Sequence, residues 1–374
     1  MIRKKILPFI PLAVPDLRGK HINMLSNAIK DNMISSAGPA VEKFESLIAK
    51  ELNSKFALAT ITGSAALHLA LKIFDIGRGH KVLVPDFTFA ATINSVIVSG
   101  AEPILVDVNR ETWTLDVDLT EKAVKKFKPR AIIVVHTLGH PAQMDELNKI
   151  ALENNIILIE DAAGAIGAKY KNKLVGSLSD AGIFSFNGNK VFTTGAGGAV
   201  VLNKKGLYKK GKTLYTQARK RGLYDYSDVG YNYKMPSLTA SLGISQIPFL
   251  KKLIKKKRII ADKYDSHFSA IKQFNTMPRK KWAQSSCWLY SLQFKSTSNA
   301  KAFTEYLLSK KVGAKLFWNA LSKQKPYKKY KSILCGTASA LSNKIVSIPC
   351  STSLNDDEQN KVINVVESWS QKNQ

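Results

Sequence analysis

The chain has 374 residues, 45% of them hydrophobic, enough to bury a large core and to divide into two domains. Its 56 Lys and Arg against 28 Asp and Glu give a formal net charge of +28, which raises nucleic-acid binding as a function. The excess is lysine and not the arginine favoured for phosphate and base contacts, and no zinc-finger, RNA-recognition or helix-turn-helix pattern accompanies it, so solvated faces or steering of an anionic substrate account for it better.

In chain order, the start MIRKKILPFIPLAVPDL has the basic-then-apolar order of a signal peptide. Pro8, Pro11 and Pro15 break the apolar run, and no small-residue cleavage site follows. No later stretch reaches the apolar length of a bilayer span, so cytoplasmic residence is the expectation. Ala57 to Leu71 reads as a short strand, a Thr62-Gly63-Ser64 turn and an amphipathic helix. Such a turn aims free amides and the helix dipole at an anion. It lacks the Lys-Ser/Thr of a triphosphate loop, and no G-x-G-x-x-G follows a strand, so a monoester phosphate fits best. Residues 81–108 then read as strand, turn, helix, a stop at Gly100, and strand. Phe89, just past the first of these strands, can stack on a flat ring or simply pack in the core.

Residues 131–147 repeat the strand–loop–helix rhythm, as in parallel sheets that bind ligands at their strand ends. His136 and His140 flank the loop and suit either a ligand contact or a structural role. From Ile159 to Val201 the sequence places Asp161 at the end of an apolar run and Lys190 between glycine-bearing turns, after the strand-like Gly182 to Phe186. A lysine and a carboxylate on adjacent strand ends can clamp a pyridine cofactor: the lysine bonds its aldehyde, and the carboxylate keeps the ring nitrogen protonated. For the isolated pair, a helix-capping Asp and a surface Lys remain the plainer reading. A lysine-rich helical stretch over 245–271 leads to a smaller α+β domain. The expected division is a large domain over 1–245 and a small one over 246–374. Trp282, Trp288 and Trp318 of the small domain read as core residues, with Trp318 also suited to a sugar or base pocket. Cys287, Cys335 and Cys350 lack C-x-x-C spacing and no histidine pair has ligand spacing, which fits a reducing compartment and no metal.

Several of these segments, in one order, resemble the sugar-nucleotide aminotransferases, pyridoxal 5'-phosphate (PLP) enzymes of fold type I. They are IPLAVPDLRGK, SSAGPAVEKFE, VPDFTFAAT, VVHTLGHPAQMDEL, EDAAGAIGAKYKNKLVGS, FSFNGNKVFTTGAGG and GYNYKM, spread from Ile10 to the end. The resemblance implies an α/β fold with a mostly parallel central sheet. It implies that Lys190 holds the cofactor, Asp161 pairs with its ring nitrogen and Phe89 stacks on it. Ser64, Ala65 and Ser185, with Gly63 of the same turn, correspond to the phosphate cradle. Asn232 corresponds to an asparagine that reaches the phosphate of a neighbouring subunit, which implies a homodimer with shared sites. Glutamate is the implied amino donor and C4 of a nucleotide-linked 4-keto-6-deoxy sugar the acceptor, for polysaccharide such as O-antigen.

Within the family, RETWTLDVD (110–118), VHTLGHP and FNGNK look most like GDP-perosamine synthases, while FNGNK and TQAR (216–219) look equally like UDP-linked 4-aminotransferases. Lys190, where the related sugar dehydratases carry histidine, argues for amino transfer. Three positions depart from the family: Gly164 stands where Gln, His or Glu is usual, Lys315-Leu316 where Arg-Pro is usual, and Ser322 near a usual His. A family fold that has lost its chemistry and acts as a PLP-binding regulator is the alternative these departures leave.

Overall fold

A computed structural model describes residues 8–220 and 224–373; the basic start, residues 1–7, lies outside the described residues. The chain enters through α1 (His21–Lys30) and α2 (Pro39–Glu51). It then alternates β1 (Phe56–Thr60), α3 (Gly63–Ile73), β2 (Lys81–Pro85), α4 (Ala90–Val98), β3 (Glu102–Val106), α5 (Val117–Phe127), β4 (Ala131–Val135), α6 (Met144–Glu153) and β5 (Ile157–Asp161). A hairpin of β6 (Lys169–Tyr170) and β7 (Lys173–Leu174) precedes β8 (Ala181–Ser185) and β9 (Gly198–Leu202). Next come α7 (Lys205–Leu214), α8 (Ser237–Gln246) and α9 (Leu250–Phe268). The remainder is β10 (Phe274–Thr276), β11 (Ala283–Gln284), β12 (Tyr290–Phe294), α10 (Thr297–Ser309), β13 (Lys315–Phe317), β14 (Ser332–Ile333), α11 (Thr337–Leu341), β15 (Ile345–Ile348) and α12 (Asp356–Lys372).

Eight strands form one sheet in the order β1-β9-β8-β5-β4-β2-β3-β14. All its neighbours pair in parallel except around β9, which runs antiparallel to both β1 and β8. The aliphatic runs of these strands are buried on both faces, as crossover helices require. Alternate residues serve opposite cores: Ile132 and Val134 of β4 face one, Ala131 and Ile133 the other. Helix α3 is buried along nearly its whole length, consistent with its Ala/Leu composition.

The small sheet, β10-β12-β15-β13, packs an aromatic cluster in which Phe294, Phe303 and Trp369 meet edge-on and tilted. The expected helix over 245–271 is divided: Ile247–Phe249 forms a 3-10 turn, because Pro248 cannot donate to a helical ladder, and α9 begins afterwards.

The chain crosses between the two sheets several times. Ile10 bridges Val312, so the first described residues lie against the small sheet. Strand β14 returns to the large sheet beside β3. The carboxylate of Asp107, just past β3, accepts the backbone N–H groups of Cys335, Gly336, Thr337 and Ala338 at 2.7–3.0 Å. Asp86, just past β2, accepts Ser322 N–H and Oγ–H at 2.6 and 2.7 Å. No described helix is long and apolar enough to cross a membrane.

Candidate active site

A cavity of about 340 Å³ opens where the ends of β2, β4, β5 and β8 meet the start of α3, within the range of small-ligand sites. Asp161 is the last residue of β5, and its register partner on β8 is Ile183, two residues before Ser185. Beyond β8, Phe186 bonds the N–H of Thr194 and the carbonyl of Gly197, closing a loop. Lys190 sits in that loop, its N–H on the Asn187 carbonyl. The carboxylate and the amine therefore enter one cavity from neighbouring strand ends.

Asp161 is 4% exposed, and burial pushes its carboxyl upward in pKa. Opposing that, Thr92 Oγ–H donates to Oδ2 at 2.9 Å, the Ala163 N–H donates to Oδ1 at 3.2 Å, and the charge of Lys190 pulls it down. Thr92 in turn shares a hydrogen bond with Thr88, one turn away. Enclosure of its amine lowers Lys190 to about 7, with Asp161 opposing the fall. An amine that is partly neutral near pH 7 is a nucleophile for an aldehyde. His136 accepts the Ala142 N–H at Nδ1, so its Nε2 carries the hydrogen donated to Glu160 at 3.0 Å. Glu160 also accepts Gly176 N–H, Leu178 N–H and Ser179 Oγ–H, an ordered layer beneath the cavity.

At the other end, Thr62 caps α3, its hydroxyl accepting the Ala65 N–H at 3.0 Å. Gly63 and Ser64 line the cavity, and their amides, in the first turn, have no acceptor within the helix. A Cβ on Gly63 would lie 2.8 Å from Ser185 Cβ, so the glycine lets the Ser185 hydroxyl join those amides. Ala65 stands one step back: it is buried, its amide is held by Thr62, and it does not line the cavity. Phe89, the residue before α4, is 62% exposed at the cavity mouth. Asn232 is exposed, paired with Thr216 through a β-bridge, and lies outside the cavity lining.

These residues fit PLP. Two helix-start amides and a hydroxyl suit a phosphate, Phe89 suits a flat ring, Asp161 with its two donors suits a protonated ring nitrogen, and Lys190 suits an aldehyde. Among the described residues no His/Cys/Asp/Glu group could hold a metal.

Thr62 was named by sequence only as part of the anion-binding turn, and Thr92 and Asn187 were not singled out, although threonines four apart around Phe89 are a visible pattern. Trp288 lies in the core as expected and also lines the cavity, as does Trp318. Of the motifs that favour GDP-linked sugars, VHTLGHP and FNGNK give His136, Leu138, Asn187 and Asn189 to the cavity lining, whereas Trp113 of RETW lies in the core and His140 is buried against the Pro141 carbonyl. Lys315 is exposed, and Ser322 is engaged by Asp86.

Fold and site together define a fold type I PLP aminotransferase. The chain belongs to the DegT/DnrJ/EryC1/StrS aminotransferase family, which matches residues 15–367. It is 35% identical over 312 residues to GDP-perosamine synthase of Escherichia coli O157:H7, covering 82% of this chain and 84% of that one. It is 33% identical over 341 residues to UDP-4-amino-4,6-dideoxy-N-acetyl-beta-L-altrosamine transaminase of Campylobacter jejuni, covering 89% and 90%. Among solved structures, Spr1654 of Streptococcus pneumoniae in its PLP form superposes with TM-score 0.91 at 25% identity, over 97% of this chain and 99% of that one. The protein is a PLP-dependent enzyme that aminates nucleotide-linked keto sugars.

Proposed function

We propose that the chain transfers the amino group of glutamate to C4 of a nucleotide-linked 4-keto-6-deoxyhexose, with GDP-4-keto-6-deoxymannose as acceptor and GDP-perosamine as product. The observation that carries the transfer chemistry is the meeting of the Lys190 amine, at about 7, with the buried Asp161 carboxylate in one cavity. PLP, when bound, supplies an electron sink for the carbanion formed at the donor's α-carbon. Lys190 Nζ would hold the cofactor until glutamate takes its place; the freed amine would then carry the α-proton of glutamate to the cofactor and, in the second half-reaction, carry a proton from the cofactor to C4 of the sugar. Asp161, steadied by Thr92 and Ala163, keeps the ring nitrogen protonated. Gly63, Ser64 and Ser185 bind the phosphate, while Phe89 covers the ring; Ala65 acts only by completing the capped turn.

Asn232 lies on the surface and reaches the cofactor phosphate of a second copy, making the enzyme a homodimer. Exposed Ile22, Ile29, Ile34 and Val229 give that dimer apolar surface to bury. Three free thiols favour the cytoplasm, where sugar nucleotides are made. The GDP preference rests on the RETW and GHP likeness and on relatives named GDP-perosamine synthase. The TQAR and FNGNK likeness, with a relative named as a UDP-linked altrosamine transaminase, supports a UDP-linked acceptor as the second reading.

The test is the visible spectrum of PLP-loaded protein through one cycle. Glutamate bleaches the band and one keto-sugar nucleotide restores it, GDP-linked under the first reading and UDP-linked under the second. A Lys190→Ala variant loses band and turnover. Full turnover by that variant, or a band indifferent to every amino donor, overturns amino transfer.

A further inference from the structure

Two glycines in loops of the large sheet make room for one segment of the small lobe. Gly139, after β4, is at φ +97° and touches Ser286; Gly164, after β5, lies against Trp288. A Cβ at Gly164 would stand 2.6 Å from Trp288 Cε3 and 3.3 Å from Cδ2, so the indole lies on the glycine itself. Ser286 locks the segment in place, donating its N–H to the Gly139 carbonyl at 3.1 Å and its hydroxyl to the Gly164 carbonyl at 2.9 Å. Cys287 adopts a left-handed φ of 52°, turning the next side chain inward. Trp288 is then held at both ends: Nε1–H donates to the Asn189 carbonyl at 2.8 Å, and its own carbonyl accepts Lys257 Nζ at 2.8 Å. Lys190 Nζ stands 3.3 Å from the centroid of its ring.

We propose that Trp288 is a positioning residue for Lys190: its indole fills the space Gly164 leaves empty and holds the lysine amine over its face, aimed into the cavity. The proposal rests on Lys190 being the cofactor lysine. A ring face attracts an ammonium most where water is excluded, and it fixes an amine that otherwise swings on four rotatable bonds. The charged group acting on Lys190 from the sheet is Asp161, and His136, held by Glu160, faces that same carboxylate. Asn189 and Lys190 are consecutive, so the Nε1–H bond ties the indole to the backbone that carries the amine.

The test uses full-length, cofactor-free protein. PLP is added across a pH series, the product is fixed with borohydride, and the pyridoxyl label on Lys190 is followed by peptide mass spectrometry. Trp288→Leu is expected to lower the plateau rate of labelling about tenfold and to move its pH midpoint down by about one unit, because the ammonium loses its ring. Trp288→Phe keeps a face and stays within about threefold of the parent. Gly164→Ala, whose Cβ displaces the indole, matches Trp288→Leu, and the double variant is no slower than either single one. The Phe variant and Gly164→Ala decide the matter if Trp288→Leu does not fold. Parent-like rates and midpoints in Trp288→Leu and Gly164→Ala overturn the proposal while leaving Lys190 as the cofactor lysine. Labelling of a different lysine in the parent overturns the Lys190 assignment, and this proposal with it.

Discussion

Replacing Thr92 by valine removes one oxygen from a buried side chain and little volume. That oxygen donates to Asp161 Oδ2 at 2.9 Å, so the carboxylate keeps only the longer bond from Ala163 at 3.2 Å. A hydrogen bond to a charged, buried acceptor contributes about 1.5–3 kcal/mol, which corresponds to PLP binding about 10- to 100-fold weaker at pH 8. The sign with pH follows from burial. Asp161 is already raised in the cofactor-free fold, and losing Thr92 raises it further. A carboxyl raised on folding takes up a proton in the native state, so its penalty is present above the folded pKa and fades as pH falls through it. Cofactor-free Thr92→Val therefore loses more stability relative to the parent at pH 8 than at pH 5. Spectrophotometric PLP titrations and thermal melts at both pH values measure these effects. Equal PLP affinity of parent and variant at pH 8 would refute the assignment of Asp161 as the carboxylate beneath the cofactor.

Two further substitutions probe the scaffold. Glu45 is buried, accepts the Ala59 N–H and the Tyr215 hydroxyl, and is raised by desolvation to about 7. The penalty on the parent builds as pH rises from the unfolded carboxyl's value of 4.5 toward about 7, so Glu45→Gln should melt with the parent near pH 4 and above it near pH 9, by about 2–3 kcal/mol in calorimetry; identical pH–stability curves would contradict it. Asp107→Ala strips the acceptor from four backbone N–H groups and should cost about 3–5 kcal/mol in urea unfolding, with Asp107→Asn recovering part of it.

Much of the large sheet was legible because its strands are continuous aliphatic runs, KVLVP, AIIVV and ILIED, and the polar residue ending the last of them is Asp161. Direction was not: GAVVL of β9 reads like its parallel neighbours, yet it follows β8 through a helix-free loop and pairs antiparallel to it. The two-residue β14 carries no pattern at all; its place in the large sheet is set by the amides that Asp107 gathers 228–231 residues away. At the site, Lys190 was legible through its motif. The other half of its environment was not, because Trp288 arrives from the small lobe through a contact 99 residues long in sequence. Gly139 and Gly164 were its local trace, absences where a side chain would collide.

The three long-range ties, Ile10 on Val312, Asp86 on Ser322 and Asp107 on the 335–338 turn, also bear on how the enzyme works. A hinge needs a few residues free to absorb rotation; here the crossings are spread along the chain, and two of them supply hydrogen-bond donors to buried carboxylates. Rotation of one sheet against the other would have to break these ties together.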